Sequence, residues 1–512
     1  MNHLPLLPVV VPLFAAALAL FAEHRRFGMV PQRVIAGLSL AVQLGVAICL
    51  LRAAADGTVL VYLLGDWPAR LGISLMVDRL SAMLVLVSAL LAVACLLHAG
   101  AGWDRRAPHF HAFFQFQLMG LNGAFLTGDL FNLFVFFEVL LIASYGLMLS
   151  GGRGDRMRAG FHYVSVNIAA STLFLMALGL LYGLLGSLNM AEMSARIAQA
   201  PATDLALIQA AAGLLLLVFC TKAALLPMYL WLPQTYAHAP AAVAALFAIM
   251  TKVGLYAVLR VGLLLFGASA GALAGFAWDW LLPAGVLTLA LASLGVMAAV
   301  RLRALAAYLV LVSAATLFIA FSLAREGTIG AGLYYLAHST FAGASLFLIA
   351  DLVRRRRGAD GDRGDRGLPV PAKTLPGLMF LIAAVSLAGL PPLSGFIGKL
   401  LLLMATTGQR WVWAVLLASS FLVLVGMARA GTRLFWRVPD DAVAATPAGN
   451  APPAPARRLE TAATVLLLAY GVAMALAAAP ILDYTRAAAA QLLAPDAYVE
   501  QVRAQSPAMR VP

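Results

Sequence analysis

Four lysines in a chain of 512 residues carry most of the chemical information in this sequence. Lys222, Lys252 and Lys399 lie inside or against apolar runs, and only Lys373 stands in a polar stretch; every other basic residue is arginine, histidine aside. Arginine does not release its proton inside a protein, whereas a desolvated lysine can have its pKa lowered by several units. A facing glutamate raises it again, so a Glu–Lys pair whose separation changes can load and release a proton. Glu138, in GDLFNLFVFFEVLLIASYG, is such an acid. It lies nine residues beyond Asp129, about 13 Å along a helix, with no basic residue within a helical turn. Lys252 lies twelve residues past Pro240, about 18 Å into its own helix and too deep to snorkel comfortably to either end. His238, in TYAHAP, and His338, in YYLAHSTFAGASLF, stand within plausible transport helices or their breaks, and imidazole titrates near neutral pH. The plainer alternatives are a neutral carboxylate that only hydrogen-bonds, lysines that pair it to hold helices together, and histidines that serve as helix contacts.

The elements around these residues are unusual. Lys222 lies five residues before Pro227 in an apolar run, and Lys399 follows Gly389, Pro391, Pro392 and Gly395 in another. An interior proline removes a backbone hydrogen bond and breaks the helix, which a membrane tolerates only where protein or water satisfies the freed groups. Two interrupted helices in corresponding halves of a chain point to an internally repeated transporter.

Composition agrees. The chain is 63% hydrophobic and 11% charged, with a mean hydropathy of +0.92, against about 25% charged residues in a typical soluble domain. Apolar runs fall at roughly 4–22, 33–52, 73–99, 110–128, 130–149, 161–186, 205–226, 240–265, 276–299, 303–324, 329–353, 376–404, 411–433 and 460–480, each near the ~20 residues that cross a bilayer. The predicted fold is therefore an all-α polytopic membrane protein of about fourteen spans. Arginines and lysines crowd the connections after odd-numbered spans and are sparse after even-numbered ones. By the positive-inside rule this puts both termini outside, periplasmic in a bacterial inner membrane. The N-terminal run lacks a basic leader, and Arg25 and Arg26 follow it, so it reads as the first span.

Other chemistry loses support. The formal charge of +13 sits mostly in loop arginines and does not indicate nucleic acid. Cys49, Cys95 and Cys220 lack metal or disulfide spacing. Phosphate-loop, zinc-protease and nucleophile-elbow motifs are missing, so the chain does not read as an enzyme. Asp360, Asp362 and Asp365 lack the spacing of a calcium loop and read as part of a solvated linker. Asp129 reads as a helix cap, and Asp78 with Arg79 as a local ion pair. No cofactor or metal is implied.

Three stretches in order, TGDLFNLFVFFEVLLIASYGLML, CTKAALLPMYLWLPQTYAHAPAAVAALFAIMTKVGLY and SLAGLPPLSGFIGKLLLL, resemble the proton-translocating antiporter-like membrane proteins. These include three core subunits of respiratory complex I and the large subunits of multisubunit cation/proton antiporters. The nearest resemblance, over essentially the whole chain, is to the D-type large subunits of the Mrp antiporters. It implies two inverted five-helix repeats with the seventh and twelfth helices broken. The corresponding division is 1–109 (helices 1–3), 110–265 (helices 4–8), 276–433 (helices 9–13, with a polar linker at 354–375) and 434–512 (linker, helix 14 and tail). The resemblance also implies that Glu138, Lys222, Lys252 and Lys399 translocate protons. Many relatives carry a further lysine on the eleventh helix, where this chain has Ala342–Gly343 after His338; His338 and water are the substitutes. The complex I component nearest in length usually has glutamate at the place of Lys399, and another has a long lateral helix after its last span, where this chain stops soon after.

The expected function is a proton-translocating subunit of a hetero-oligomeric Na+ or K+/proton antiporter, with other antiporter subunits and the lipid bilayer as partners. The rivals are a proton-pumping subunit of a complex I-like or membrane-bound hydrogenase assembly and a non-conducting membrane scaffold.

Overall fold

The structure, a computed structural model, describes residues 3–436, apart from 71, 153, 277, 366–368 and 372, together with 457–505. The helices in chain order are α1 (Leu7–His24), α2 (Met29–Ala53), α3 (Arg79–Gly100), α4 (Phe110–Leu126), α5 (Leu130–Leu149), α6 (Gly154–Leu185), α7 (Met190–Ala198), α8 (Leu205–Lys222), α9 (Trp231–His238), α10 (Ala241–Phe247), α11 (Met250–Phe266), α12 (Trp278–Ala298), α13 (Leu302–Ser322), α14 (Glu326–Arg357), α15 (Thr374–Ala388), α16 (Ser394–Ala405), α17 (Arg410–Gly431), α18 (Arg458–Leu476), α19 (Ala478–Leu493) and α20 (Asp496–Gln505). Twelve spans among the described residues are long and apolar enough to cross a membrane. The expected fourteen are completed by α4, 17 residues long, and by the broken pair α15 and α16. The seventh passage is likewise broken, into α8 and α9, and the eighth bends between α10 and α11.

Local chemistry sets the boundaries. At α3, Asp78 accepts from the Ser81 amide while Ser81 Oγ accepts from the Asp78 amide, each at 2.9 Å, a reciprocal cap. Asp129 caps α5 through the Asn132 amide at 2.8 Å, as the sequence suggests. The layers follow from burial: α10, α11, α13 and α14 are enclosed almost all round, while α1, α2, α6, α12 and α18 turn apolar side chains such as Phe14, Leu38, Phe161, Trp280 and Leu476 outward. In a bilayer such surfaces need no polar cover.

Other features were not expected. A two-stranded hairpin, β1 (Leu60–Leu63) with β2 (Ser74–Val77), pairs Leu60 with Val77 and leads into α3. Asp78 does not pair with Arg79. It forms a buried bidentate bridge with Arg260 of α11, at 2.6 and 2.8 Å, while Arg79 donates to the carbonyls of Ala55 and Ala487. Sequence adjacency misleads here because residues 78 and 79 point different ways at a helix start. The linker expected at 354–375 is shorter, since α14 runs on to Arg357. Nor is it all solvated: Asp362 is buried and bound to Arg303 at 3.2 Å. The proline- and alanine-rich stretch 439–456 lies outside the described residues. The tail supplies α19, whose Tyr484 and Gln491 bond to the carbonyls of Arg79 and Gly57.

Candidate functional site

The seventh passage breaks immediately after Lys222, where Ala223 to Leu226 leave the helix and Ala224 adopts φ +61°. The break releases carbonyls; that of Thr221 accepts from the Trp231 indole at 3.1 Å. The Lys222 amine turns instead to α6, donating to Asn167 O and Oδ1 at 3.3 Å and to Ser171 Oγ at 3.2 Å. Ser171 in turn donates to Glu138 Oε1. The expected acid and base therefore meet through one hydroxyl rather than as a direct ion pair. Asn167 and Ser171 stand four residues apart on α6, so they share a face.

Lys252, fully buried, donates to Ser313 Oγ of α13 at 2.9 Å. It is brought beside the first break by Gly254: a Cβ there would lie 2.6 Å from the Ala223 amide nitrogen, so only glycine lets the two backbones touch. Thr316, one turn beyond Ser313 on α13, lines a cavity of ≈ 120 Å³ shared with Lys399 and Ser420. His338 of α14 bonds Ser394 Oγ at 2.9 Å and lies within electrostatic reach of both Lys252 and Lys399. Lys399 donates to the carbonyls of Leu387 (3.3 Å) and Ala388 (2.9 Å) and to Ser420 Oγ (3.0 Å).

Glu138, Lys222, Lys252, His338 and Lys399 thus fall along one run of polar side chains, with Lys222, Lys252 and His338 buried and Glu138 and Lys399 half-buried at its two ends. Each lysine amine in it rests on a serine hydroxyl, which can both accept and donate. His238 does not join them. It closes α9, its Nδ1 on the Gln234 carbonyl at 2.8 Å and its own carbonyl held by Arg156. The serines escaped sequence reading because hydroxyls are common on membrane helices; the four-residue spacing of Asn167 and Ser171 was the available signal. No group of three or more metal-ligating side chains occurs among the described residues.

Two cavities that contain charged side chains lie at opposite ends of α3, whose 22 residues span about 33 Å. One, of ≈ 340 Å³, holds the Asp78–Arg260 bridge; the other, of ≈ 210 Å³, holds His98, Asp351 and several arginines. Near that arginine-rich end Asp104 is clamped by Arg33 at 2.6 Å and by His111 at 3.4 Å. Burial pushes its carboxyl up, but the His111 and Arg33 bonds outweigh burial and hold it down at about 2.

Residues 127–425, which contain every member of the run, match the family described as NADH:quinone oxidoreductase/Mrp antiporter, TM. The chain belongs to this family. Within the NADH:quinone oxidoreductase/Mrp antiporter family it is 38% identical over 538 aligned positions, covering 98% of each chain, to a protein named as the D subunit of a probable K(+)/H(+) antiporter from Rhizobium meliloti (strain 1021). It is 35% identical over 512 positions, covering 98% of this chain and 99% of the other, to the D subunit of a Na(+)/H(+) antiporter from Alkalihalophilus pseudofirmus. A chain of the solved Mrp complex from Dietzia sp. DQ12-45-1b matches with a TM-score of 0.87 at 28% identity, over 98% of this chain and 100% of that one.

Proposed function

We propose that this chain is the proton-translocating membrane subunit of a hetero-oligomeric monovalent cation/proton antiporter in the bacterial cell membrane, with its arginine-rich end in the cytoplasm and both termini periplasmic. The observation that carries this reading is the run itself: three lysines, a glutamate and a histidine, buried or half-buried within the apolar bundle and linked or neighboured by hydroxyls, where charge at membrane depth costs about 2.5–3.5 kcal/mol on insertion scales. Such a cost is hard to explain for a scaffold that conducts nothing. The full-length similarity to proteins named as antiporter D subunits supports the antiporter over a complex I-like pump, and those names imply further subunits.

In this reading Lys222 is the switchable carrier. With Ser171 turned to Glu138, the amine has a carboxylate within one hydroxyl and holds its proton. When that contact opens, desolvation dominates and the proton leaves. Lys252 passes protons along the axis through Ser313, His338 and water stand where relatives place another lysine, and Lys399 connects to the opposite face or a neighbouring subunit. The names of the relatives divide between potassium and sodium, so the test compares both ions. Cation-driven proton flux is measured in inverted vesicles holding the whole assembly. Glu138→Ala and Lys399→Ala assemblies that form normally are expected to lose flux; intact flux in both overturns the proposal in favour of a scaffold.

A further inference from the structure

The cavity of ≈ 210 Å³ at the arginine-rich end opens between the end of α3, the start of α10, the last turns of α14 and the start of α18. It is large enough to hold several waters. His98 of α3 lines it, with its ring 4% exposed and neither ring nitrogen hydrogen-bonded among the described residues. Its Nε2 stands 4.0 Å from Asp351 Oδ2 on α14.

The surrounding charges isolate this pair. Asp351 Oδ1 takes both Nε (2.9 Å) and Nη2 (2.6 Å) of Arg354, which leaves Oδ2 toward the histidine. Arg355 is bound to Glu460 of α18, and Arg457 to the Ala101 carbonyl. Arg303 of α13 is held by Asp362. Arg156 of α6 is held by the carbonyls of Ser150 and His238, and Arg106 is exposed at the rim. His98 is therefore the titratable group of this cavity whose ring nitrogens are both without a hydrogen bond among the described residues. Ala241 and Ala242 also line it, and Lys252 lies about 15 Å further along that same passage, beside Thr251, whose buried hydroxyl has no hydrogen-bond partner among the described residues.

Building on the proton-carrying reading above, we infer that His98, steadied by Asp351, exchanges protons between bulk water and the interior at the arginine-rich mouth. One ring nitrogen takes a proton from cavity water, the imidazolium is steadied by the open Asp351 oxygen, the other nitrogen gives its proton on toward the interior, and a tautomer exchange through cavity water resets the ring. The charge is transient and the ring returns to neutral. Arginines around the mouth do not compete, because they do not titrate.

The test uses the complete assembly in vesicles, with assembly checked by co-purification. His98→Gln is expected to lower proton flux by at least about 10-fold. Imidazole added on the arginine-rich side restores part of it, and imidazole on the other side does not. Asp351→Asn is expected to move the acid limit of flux to lower pH by about one unit, while His162→Gln, on an exposed position, changes neither. Full flux with an unaltered pH profile in His98→Gln overturns the inference. So does a loss that imidazole never restores, together with an unmoved acid limit in Asp351→Asn. If the unsubstituted assembly moves no protons, the proposed function fails instead.

Discussion

The two broken passages are built on one template and used differently. Ala223-Ala224-Leu225-Leu226-Pro227 and Ala388-Gly389-Leu390-Pro391-Pro392 align residue for residue. Both carry a left-handed second residue, φ +61° at Ala224 and +79° at Gly389, and a cis bond before the last proline. In each, the helix before the break ends with orphan carbonyls that need donors. In the first passage the neutral Trp231 indole serves the Thr221 carbonyl, so Lys222 is left to face Ser171 and, through it, Glu138. In the second, Lys399 reaches back from the following half-helix to the carbonyls of Leu387 and Ala388, the counterparts of Lys222 and Ala223. A cation there also meets the negative end of α15. Each lysine has a serine hydroxyl and backbone carbonyl among its acceptors, but only the hydroxyl at Lys222 leads on to a carboxylate, while Lys399 holds two carbonyls of the break itself. The first break is therefore built as a switch and the second as an anchored terminus.

Arginine substitutions break this comparison most directly. Lys222→Arg keeps a positive charge but cannot release a proton, and its flux is expected to fall by about 100-fold. Lys399→Arg preserves a cationic donor for the two carbonyls, so its loss is expected to be smaller, about 10-fold. Equal losses in the same vesicle assay would mean that both lysines work alike. A double-mutant cycle sharpens the point on stability: Glu138→Gln and Lys222→Met are expected to couple by about 0.5–3 kcal/mol in thermal unfolding, whereas Glu138→Gln and Lys399→Met add within about 0.5 kcal/mol.

Sequence made the bundle legible because its signals were local. Span lengths, interior prolines and the rarity of lysine each needed only a window of about twenty residues. The lysines also declared themselves by being costly where they stand. What stayed hidden depends on contacts between distant segments. Ser313 was unremarkable until α13 lay against Lys252, and nothing in residues 78–79 announces Arg260, 182 residues away. Nothing at His98, within the apolar run 73–99, announces Asp351, which α14 brings to 4.0 Å from it. The hairpin was missed because four-residue strands leave too short an alternation to register, and β2 (Ser74–Val77) was absorbed into the apolar run read as a span from 73, whose helix begins only at Arg79.

The glycine at the second break gives the next effect in size. At Gly389 an added Cβ would lie 2.6 Å from Lys399 Cδ, and φ is +79°. Gly389→Ala is expected to destabilise by about 1–2 kcal/mol from the backbone alone, seen as a lower midpoint in thermal unfolding, and to displace the Lys399 amine from its carbonyls. A midpoint unchanged from the parent would show that Lys399 is not held as tightly as the comparison requires.

Acid sensitivity separates the fold from the lysines. The Asp104 carboxyl, held at about 2 in the fold against an ordinary 3.8, contributes stability that is present above the unfolded value and lost as pH falls through the folded one. Its window therefore lies below pH 4, and a flux profile that changes above it cannot come from this clamp. Thermal midpoints taken from pH 7 down to 2 should fall more steeply below pH 4 in the parent than in Asp104→Asn. Parallel curves would assign the acid loss elsewhere.

The smallest effect is the reciprocal substitution at the first break. Ala224→Gly relieves a left-handed alanine, a gain of about 1–2 kcal/mol. Against it stand about 0.4–1 kcal/mol of unfolded-chain entropy and about 0.8 kcal/mol for a buried methyl group, since Ala224 is wholly enclosed. The terms nearly cancel, so the unfolding midpoint should hardly move, although the same exchange in the opposite sense at Gly389 is costly. The asymmetry arises because the methyl group of Ala224 is packed where the corresponding space at Gly389 is filled by the Lys399 stem. A large gain for Ala224→Gly would mean that the first break is strained rather than packed, and its readiness to move would then have to be traced to the backbone instead of to the Glu138–Ser171–Lys222 contact.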